Sequence, residues 1–303
     1  MNPQFLMDGL IAGAMIGLGA IGVTLTYSIL RFANFAHGEF MTFGAYAAWS
    51  VSFAISAVLG GVLPPPLAPF SFAWSVLVAG AIAMALTAGL AVLLDLVLFK
   101  RLRKHSTTIV VVMASFGASI ALRSLIEFTF SSSPVYFSRE LQIATRIGLG
   151  MRVTPDQVAL IAMTLILLVA VHLFVTRSQA GRSMRAVAEN PALAKVVGID
   201  VDKVIRLTWI LGGSLAAAAG TMTGILVQIR PYMGFDLLLP LFSAAILGGI
   251  GSVPGAIVGA IIIGVSEAAT VQFIGAEWRA AVSFVLLILM LLLRPSGLFG
   301  GRA

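Results

Sequence analysis

Few side chains in this sequence are equipped for chemistry, and they fall in four short stretches. The first is residues 31–40, RFANFAHGEF, where Asn34, His37 and Glu39 stand close together. An imidazole and a carboxylate two residues apart are a pairing used for proton transfer. With no nucleophile or metal ligand beside them, His37 and Glu39 do not make a catalytic site. The same groups also suit the start of a membrane helix: Asn34 can cap it, and Glu39 in its first turns is favoured by the helix dipole. Two readings follow: a capped span with an interfacial turn, or a polar element at a solute pathway or cytoplasmic gate.

The second stretch holds Arg123 and Glu127, one helical turn apart inside an apolar run. A lone charge there is costly. They are therefore expected to form an intramembrane ion pair, with each other or with a neighbouring helix, and to be structural rather than substrate-binding. The third, residues 248–255, reads GGIGSVPG and follows a short apolar run holding Pro240. It predicts a broken helix with a glycine turn. Such breaks occur at membrane depth where the backbone is shielded or lines a cavity, so Gly248, Gly249 and Gly251 are candidate gate positions.

The fourth, residues 181–200, reads GRSMRAVAENPALAKVVGID and is polar and basic between two apolar runs. It predicts two short helices. Asn190 caps the second, Pro191 suits its first position, and Gly198 ends it in a left-handed turn. Arg182 and Arg185 lie one turn apart beyond Gly181, and Glu189 precedes the break. Met184 with Val187, and Leu193 with Val196 and Val197, give each helix an apolar side. A capped helix pair between membrane spans is built to dock onto something; the plainer alternative is a basic loop that fixes topology.

Other chemistry is missing. There is no GxxxxGK[ST], no HExxH and no GxSxG. The three histidines, His37, His105 and His172, are scattered, and there is no cysteine. No metal site is expected.

The elements that must position these stretches are membrane helices. The chain has 303 residues, 59% hydrophobic and 10% charged, with a mean hydropathy of +1.05. Its runs repeatedly reach the ~20 apolar residues needed to cross a bilayer, and they are continuous rather than alternating, which excludes a β-barrel. The expected fold is all-α: a polytopic helical membrane protein of about eight to nine spans. The runs fall near 6–29, 37–59, 72–99, 107–128, 158–176, 204–227, 235–250, 254–273 and 278–293, with a broken or re-entrant helix near 235–255. One transmembrane domain, 1–303, carries a cytoplasmic loop at about 177–203. The first basic residue is Arg31, after Asp8, so no cleavable signal is expected. Glycines four apart (Gly9, Gly13 and Gly17; Gly212, Gly220 and Gly224 with Ala216) mark close-packing helix faces.

Net charge is +7. In a membrane protein this reflects cytoplasmic loops before any nucleic-acid partner. With the N-terminus outside, the inner side takes Arg31, Lys100, Arg101, Arg103, Lys104, Arg177, Arg182, Arg185, Lys195, Lys203, Arg206, Arg294 and Arg302. The outer side takes Arg139, Arg146, Arg152, Arg230 and Arg279, and the bias favours this orientation. A re-entrant 235–250 would reverse the sides after it. Asp95 lies close enough to the first basic cluster to be neutralised.

Four motifs in order resemble the LivH-type permease of the branched-chain, or hydrophobic, amino acid ATP-binding-cassette importers, over nearly the whole length. They are NFAHGEF at 34–40 with the run to Tyr46, GRSMRAVAENPALAKVVGID at 181–200, LGGIGSVPGAIVGA at 247–260 and LRPSGLFG at 293–300. The resemblance implies a multi-pass protein of the bacterial inner membrane that translocates branched-chain or other neutral amino acids and is not itself an enzyme. It implies a second homologous permease subunit, two cytoplasmic ATPase subunits, a periplasmic substrate-binding protein, and membrane lipid around the spans. No cofactor is expected on this chain; ATP and Mg belong to the ATPases. Gly181, Arg182, Arg185, Glu189, Asn190, Pro191 and Gly198 then serve docking of the ATPase. The rival readings are a self-sufficient ion-coupled carrier or channel, and a membrane-embedded enzyme acting on lipid.

Overall fold

The computed structural model describes residues 3–60, 64–138, 142–148 and 150–300; Arg139 and Arg302, assigned to sides above, lie outside them. The chain folds into helices because in hydrocarbon each backbone N–H and C=O must be satisfied within its own segment. In order these are α1 (Gln4–Leu30), α2 (His37–Val58), α3 (Trp74–Leu94), α4 (Lys100–His105), α5 (Thr108–Phe130), α6 (Pro155–Arg177), α7 (Gln179–Glu189), α8 (Pro191–Val196), α9 (Val201–Leu226), α10 (Met233–Gly248), α11 (Val253–Phe273) and α12 (Arg279–Leu293). A π-helical turn, Asp95–Phe99, joins α3 to α4. Among the described residues eight helical stretches are long and apolar enough to cross a membrane, and α10 is a shorter apolar helix. The architecture is thus a polytopic helical membrane protein.

Hydropathy all round places α1 at the centre. In its most apolar window 83% of residues are buried, against 22, 17 and 6% for α5, α6 and the stretch containing α12, which lie at the periphery of the bundle. Gly9 and Gly13 let α1 meet the backbone of α11 at Val265 and Ile261, and Gly264 answers from α11. On α9, Gly220 lies against the backbone of Met41, and Gly212 faces Thr26. A Cβ at these crossings would force helices apart.

Side-to-side contacts fix the two ends. At one end Arg31 reaches α7 and Lys100 meets Asp202 at 2.9 Å. At the other, Gln4 Nε2 donates to the Arg152 carbonyl at 3.0 Å, and Val135 bridges Ile229. This second end also carries a small hairpin, β1 (Thr145–Gly148) and β2 (Met151–Val153), antiparallel with Arg146 opposite Arg152. The sequence reading gave no strands there. α10 runs from the connection after α9 to a turn beside Thr24 of α1. The tail at 298–299 hydrogen-bonds Leu247 and Gly248 on the side of α7 and α8.

Asp95 is neutralised by Arg103, at 2.7 Å. It is a charge contact without hydrogen-bond alignment. Nearby, Phe99 stacks on Trp209 at 5.2 Å and 6°.

Candidate functional site

The α7–α8 hairpin is assembled from local rules. Ser178 starts α7 by accepting the Gly181 N–H at 2.9 Å. Gly181 rests on the carbonyls of Phe174 and Val175 at the end of α6, where a methyl group has no room. Asn190 ends α7 through its N–H to the Ala186 carbonyl. Its Oδ1 then accepts from Ala192 and Leu193, both at 3.0 Å, to start α8, with Pro191 in the first position. At the far end Gly198 takes φ +87°. Its N–H reaches the Lys195 carbonyl and that of Ile199 the Ala194 carbonyl, which is the paired closure of a left-handed helix stop. Asp200 caps α9 by accepting the Lys203 N–H at 3.1 Å, and this bond holds its carboxyl below the usual carboxylate range.

The hairpin is tied to the membrane core. Met184 and Val187 are buried in the core. Arg31, itself in a left-handed conformation at φ 56°, sends Nη2 to the carbonyls of Ala188 and Glu189 at 3.0 Å each. The exposed arginines are not idle either: Arg182 Nη1 donates to the Arg177 carbonyl at 3.2 Å, and Arg185 Nη1 to the Val175 carbonyl. Both cations satisfy free carbonyls at the negative end of α6. Apolar groups also face outward, beside the exposed Arg182, Arg185, Glu189 and Lys195: Leu193 is 60% exposed, Val196 82% and Val197 68%.

The second assembly lies deep in the bundle. α2 starts not at a membrane surface but beside Gly19 and Gly22 of α1, about 12 Å above the end of that helix at ~1.5 Å per residue. Residues 31–36 climb back into the bundle to reach it. Asn34 does not cap α2 directly; its Oδ1 accepts the Ala36 N–H at 3.1 Å, and Ala36 is the capping position. The Phe35 N–H goes to Ser115 Oγ at 3.1 Å. His37 Nε2 donates to the Gly19 carbonyl at 3.2 Å, and a methyl at Gly22 would strike its ring. Asn34, His37 and Glu39 are all buried. Asn34 Nδ2, His37 Nδ1 and Glu39 Oε2 have no hydrogen-bond partner among the described residues.

Of the two partners left open by the sequence, the intramembrane ion pair joins Arg123 not to Glu127, one turn away, but to a neighbouring helix. Arg123 holds Glu39 Oε1 through Nε at 3.0 Å and Nη2 at 2.6 Å. The reason is burial: Glu39 is fully enclosed, so the low-dielectric site gives its charge the stronger claim on the guanidinium, whereas Glu127 is only partly buried. Tyr232 and Phe235 lie over the guanidinium at 5.1 and 4.3 Å, in the range of cation–π attraction. Here α2 also crosses α10, with Gly38 against Gly234 and the Gly234 N–H on Thr42 Oγ1 at 3.1 Å.

Gly248, Gly249 and Gly251 form a separate, tight turn at the end of the bundle that carries α7 and α8. Gly249 and Gly251 take φ +101° and +88°. The Gly251 N–H bonds Thr24 Oγ1 at 2.8 Å, Gly248 packs on Gly255, and the tail covers the turn through Leu298 and Phe299. The 247–260 and 293–300 motifs are therefore one unit. They and His37 meet the same helix, α1, at neighbouring levels.

Sequence reasoning missed Arg31 as a tie, the aromatic cover on Arg123, and a third ion pair at a buried carboxylate. Glu267, inside the apolar run of α11, meets Arg279 Nε at 2.6 Å and Ser283 Oγ at 2.5 Å. A carboxylate in the middle of a span was the available signal.

Comparison with known proteins follows the same outline. The family model for the permease component of the branched-chain amino acid transport system matches residues 5–291. The high-affinity branched-chain amino acid transport system permease protein LivH of Salmonella typhimurium is 34% identical over 99% of this chain and 98% of its own length. The corresponding BraD protein of Pseudomonas aeruginosa is 32% identical over 98% of this chain and 95% of its own. A probable LivH of Methanocaldococcus jannaschii is 26% identical over 99% and 93%.

Proposed function

Because the chain belongs to the permease family of branched-chain amino acid transport systems, we propose that it is the membrane-spanning subunit of an ATP-binding-cassette importer. It translocates branched-chain or other neutral amino acids across the bacterial inner membrane. It works beside a second, homologous permease chain; a periplasmic substrate-binding protein delivers the solute, and two cytoplasmic ATPases carry ATP and Mg. α7 and α8 seat in a groove of one ATPase.

The observation that carries this reading is the outward apolar side of α8, Leu193, Val196 and Val197, on a hairpin capped at every end and tied to α1 by Arg31. Exposed apolar groups on a rigid cytoplasmic element suit a protein groove. A switch driven by nucleotide needs an element whose position differs between two states, and the energy comes from the ATPases binding nucleotide differently in each. Movement of the hairpin passes to α1, on which both His37 and the Gly251 turn are seated. Asn34, His37 and Glu39 at the raised start of α2, with Gly248, Gly249 and Gly251 at the inner turn, are the positions we assign to the gate. A self-sufficient proton-driven carrier fits less well: the carboxylates buried well inside the helices, Glu39, Asp95 and Glu267, are each paired with an arginine, and Asp156, at the start of α6, is held by Ser71 and Gln142.

The test is co-purification with the ATPases encoded beside it, comparing wild type with Val196→Asp. The buried core is untouched by this change. Loss of the ATPases with an unchanged melting curve supports the dock; full retention removes α8 from it.

A further inference from the structure

A cleft of about 580 Å³ opens at the outer end between α9, α10 and the α11–α12 connection. Its position follows from α9, which begins beside the docking hairpin and ends at the cleft. The size is that of a small-molecule site, roughly 300–1,000 Å³. Its rim carries both signs of charge: Arg230 and Arg279, and Asp236 and Glu277. Its floor is apolar, with Met15, Leu239 and Pro240.

Three features make the rim a built arrangement rather than a scatter of surface charge. Arg279 is fixed by Glu267, whose side chain is 2% exposed, while Arg279 itself is 48% exposed and lines the cleft. Arg230 and Asp236 face each other at 2.8 Å and are half exposed, 50 and 49%, so each can exchange its partner for a ligand at little cost. Pro240 lacks the N–H that a helix would direct to the Asp236 carbonyl, which leaves a main-chain acceptor beside the Asp236 carboxylate.

We infer that this cleft is an entry site for a zwitterionic amino acid with an apolar side chain. The arginines take the carboxylate, Asp236 and its carbonyl take the ammonium, and the side chain lies on Met15 and Leu239. The inference rests on the amino acid permease reading and adds to it a receiving site on this chain.

The chain has no cysteine, so Leu239→Cys introduces its sole thiol, at the cleft floor. The assembled complex carrying it is labelled with a membrane-impermeant maleimide, and the label on this chain is read by mass. L-Leucine should slow labelling at least threefold. Isoamylamine and 4-methylpentanoate, each with one of the two charges, should give little protection. Asp236→Asn and Arg230→Gln should each abolish protection while the ATPases still co-purify. No protection by leucine, or equal protection by the singly charged analogues, overturns the proposal and leaves the importer reading in place. Protection by the binding protein without leucine also overturns it, since the cleft then seats that protein. Leucine protection in a chain that binds no ATPase would keep the cleft and remove the importer.

Discussion

Arg123 grips one oxygen of Glu39 from α5 while Phe235 of α10 covers the guanidinium at 4.3 Å. Three helices thus meet at one charge pair, with Glu39 unexposed and Arg123 13% exposed. Removing one partner leaves an uncompensated buried charge. Arg123→Leu should cost roughly 3–5 kcal/mol, read as a drop in thermal or denaturant stability in detergent. Adding Glu39→Gln should recover most of it. A single variant as stable as wild type would mean that the pair is not buried in the folded protein.

The crossing of α2 and α10 at Gly38 and Gly234 has no space for a side chain, because a Cβ on Gly38 would lie 2.5 Å from the Gly234 carbonyl. Gly38→Ala should destabilise by about 1–3 kcal/mol, the usual cost of overpacking. Gly117→Ala on α5 is the control, since nothing lies within 4 Å of its added methyl. It should be neutral or gain up to ~1 kcal/mol from helix propensity.

The tail is expected to hold the glycine turn. Stopping the chain after Ser296 removes two hydrogen bonds, at 2.9 and 3.0 Å, from Leu298 and Phe299 to Leu247 and Gly248. At about 0.5–1.5 kcal/mol each, the loss should appear as faster hydrogen exchange at 247–252, with α1 still protected. Unchanged exchange there would separate the tail from the turn.

Asn190 should act locally. Asn190→Ala costs about 1 kcal/mol as a cap, and amide exchange at 191–196 should rise while the global melt barely moves. Asn190→Asp should restore protection. Equal exchange in all three forms would show that α8 is held by packing and not by its cap.

The spans and the α7–α8 hairpin were legible in the sequence because they obey local rules. Apolar runs of bilayer length read as helices, and Asn190-Pro191 with Gly198 brackets α8 as chain-local capping requires. What the sequence concealed depends on distance along the chain. Glu39 and Arg123 are 84 residues apart, so spacing pointed to the nearer Glu127. The raised start of α2 is set by the shape of α1 at Gly19 and Gly22, which no local pattern encodes. Arg182 and Arg185 read as a docking charge, yet their donors close the end of α6. Beside them Leu193, Val196 and Val197 add exposed apolar groups, which the sequence reading assigned only to the apolar sides of the helices.

The most direct measurement of the central claim is uptake of labelled L-leucine into proteoliposomes holding this chain with its neighbouring permease and ATPase subunits. The substrate-binding protein is supplied on its side, and ATP and Mg on the other. Uptake should require ATP and the binding protein together and should fall to background with Val196→Asp. Uptake by this chain alone, without ATP and driven by an ion gradient, would contradict the account and make it a self-sufficient carrier.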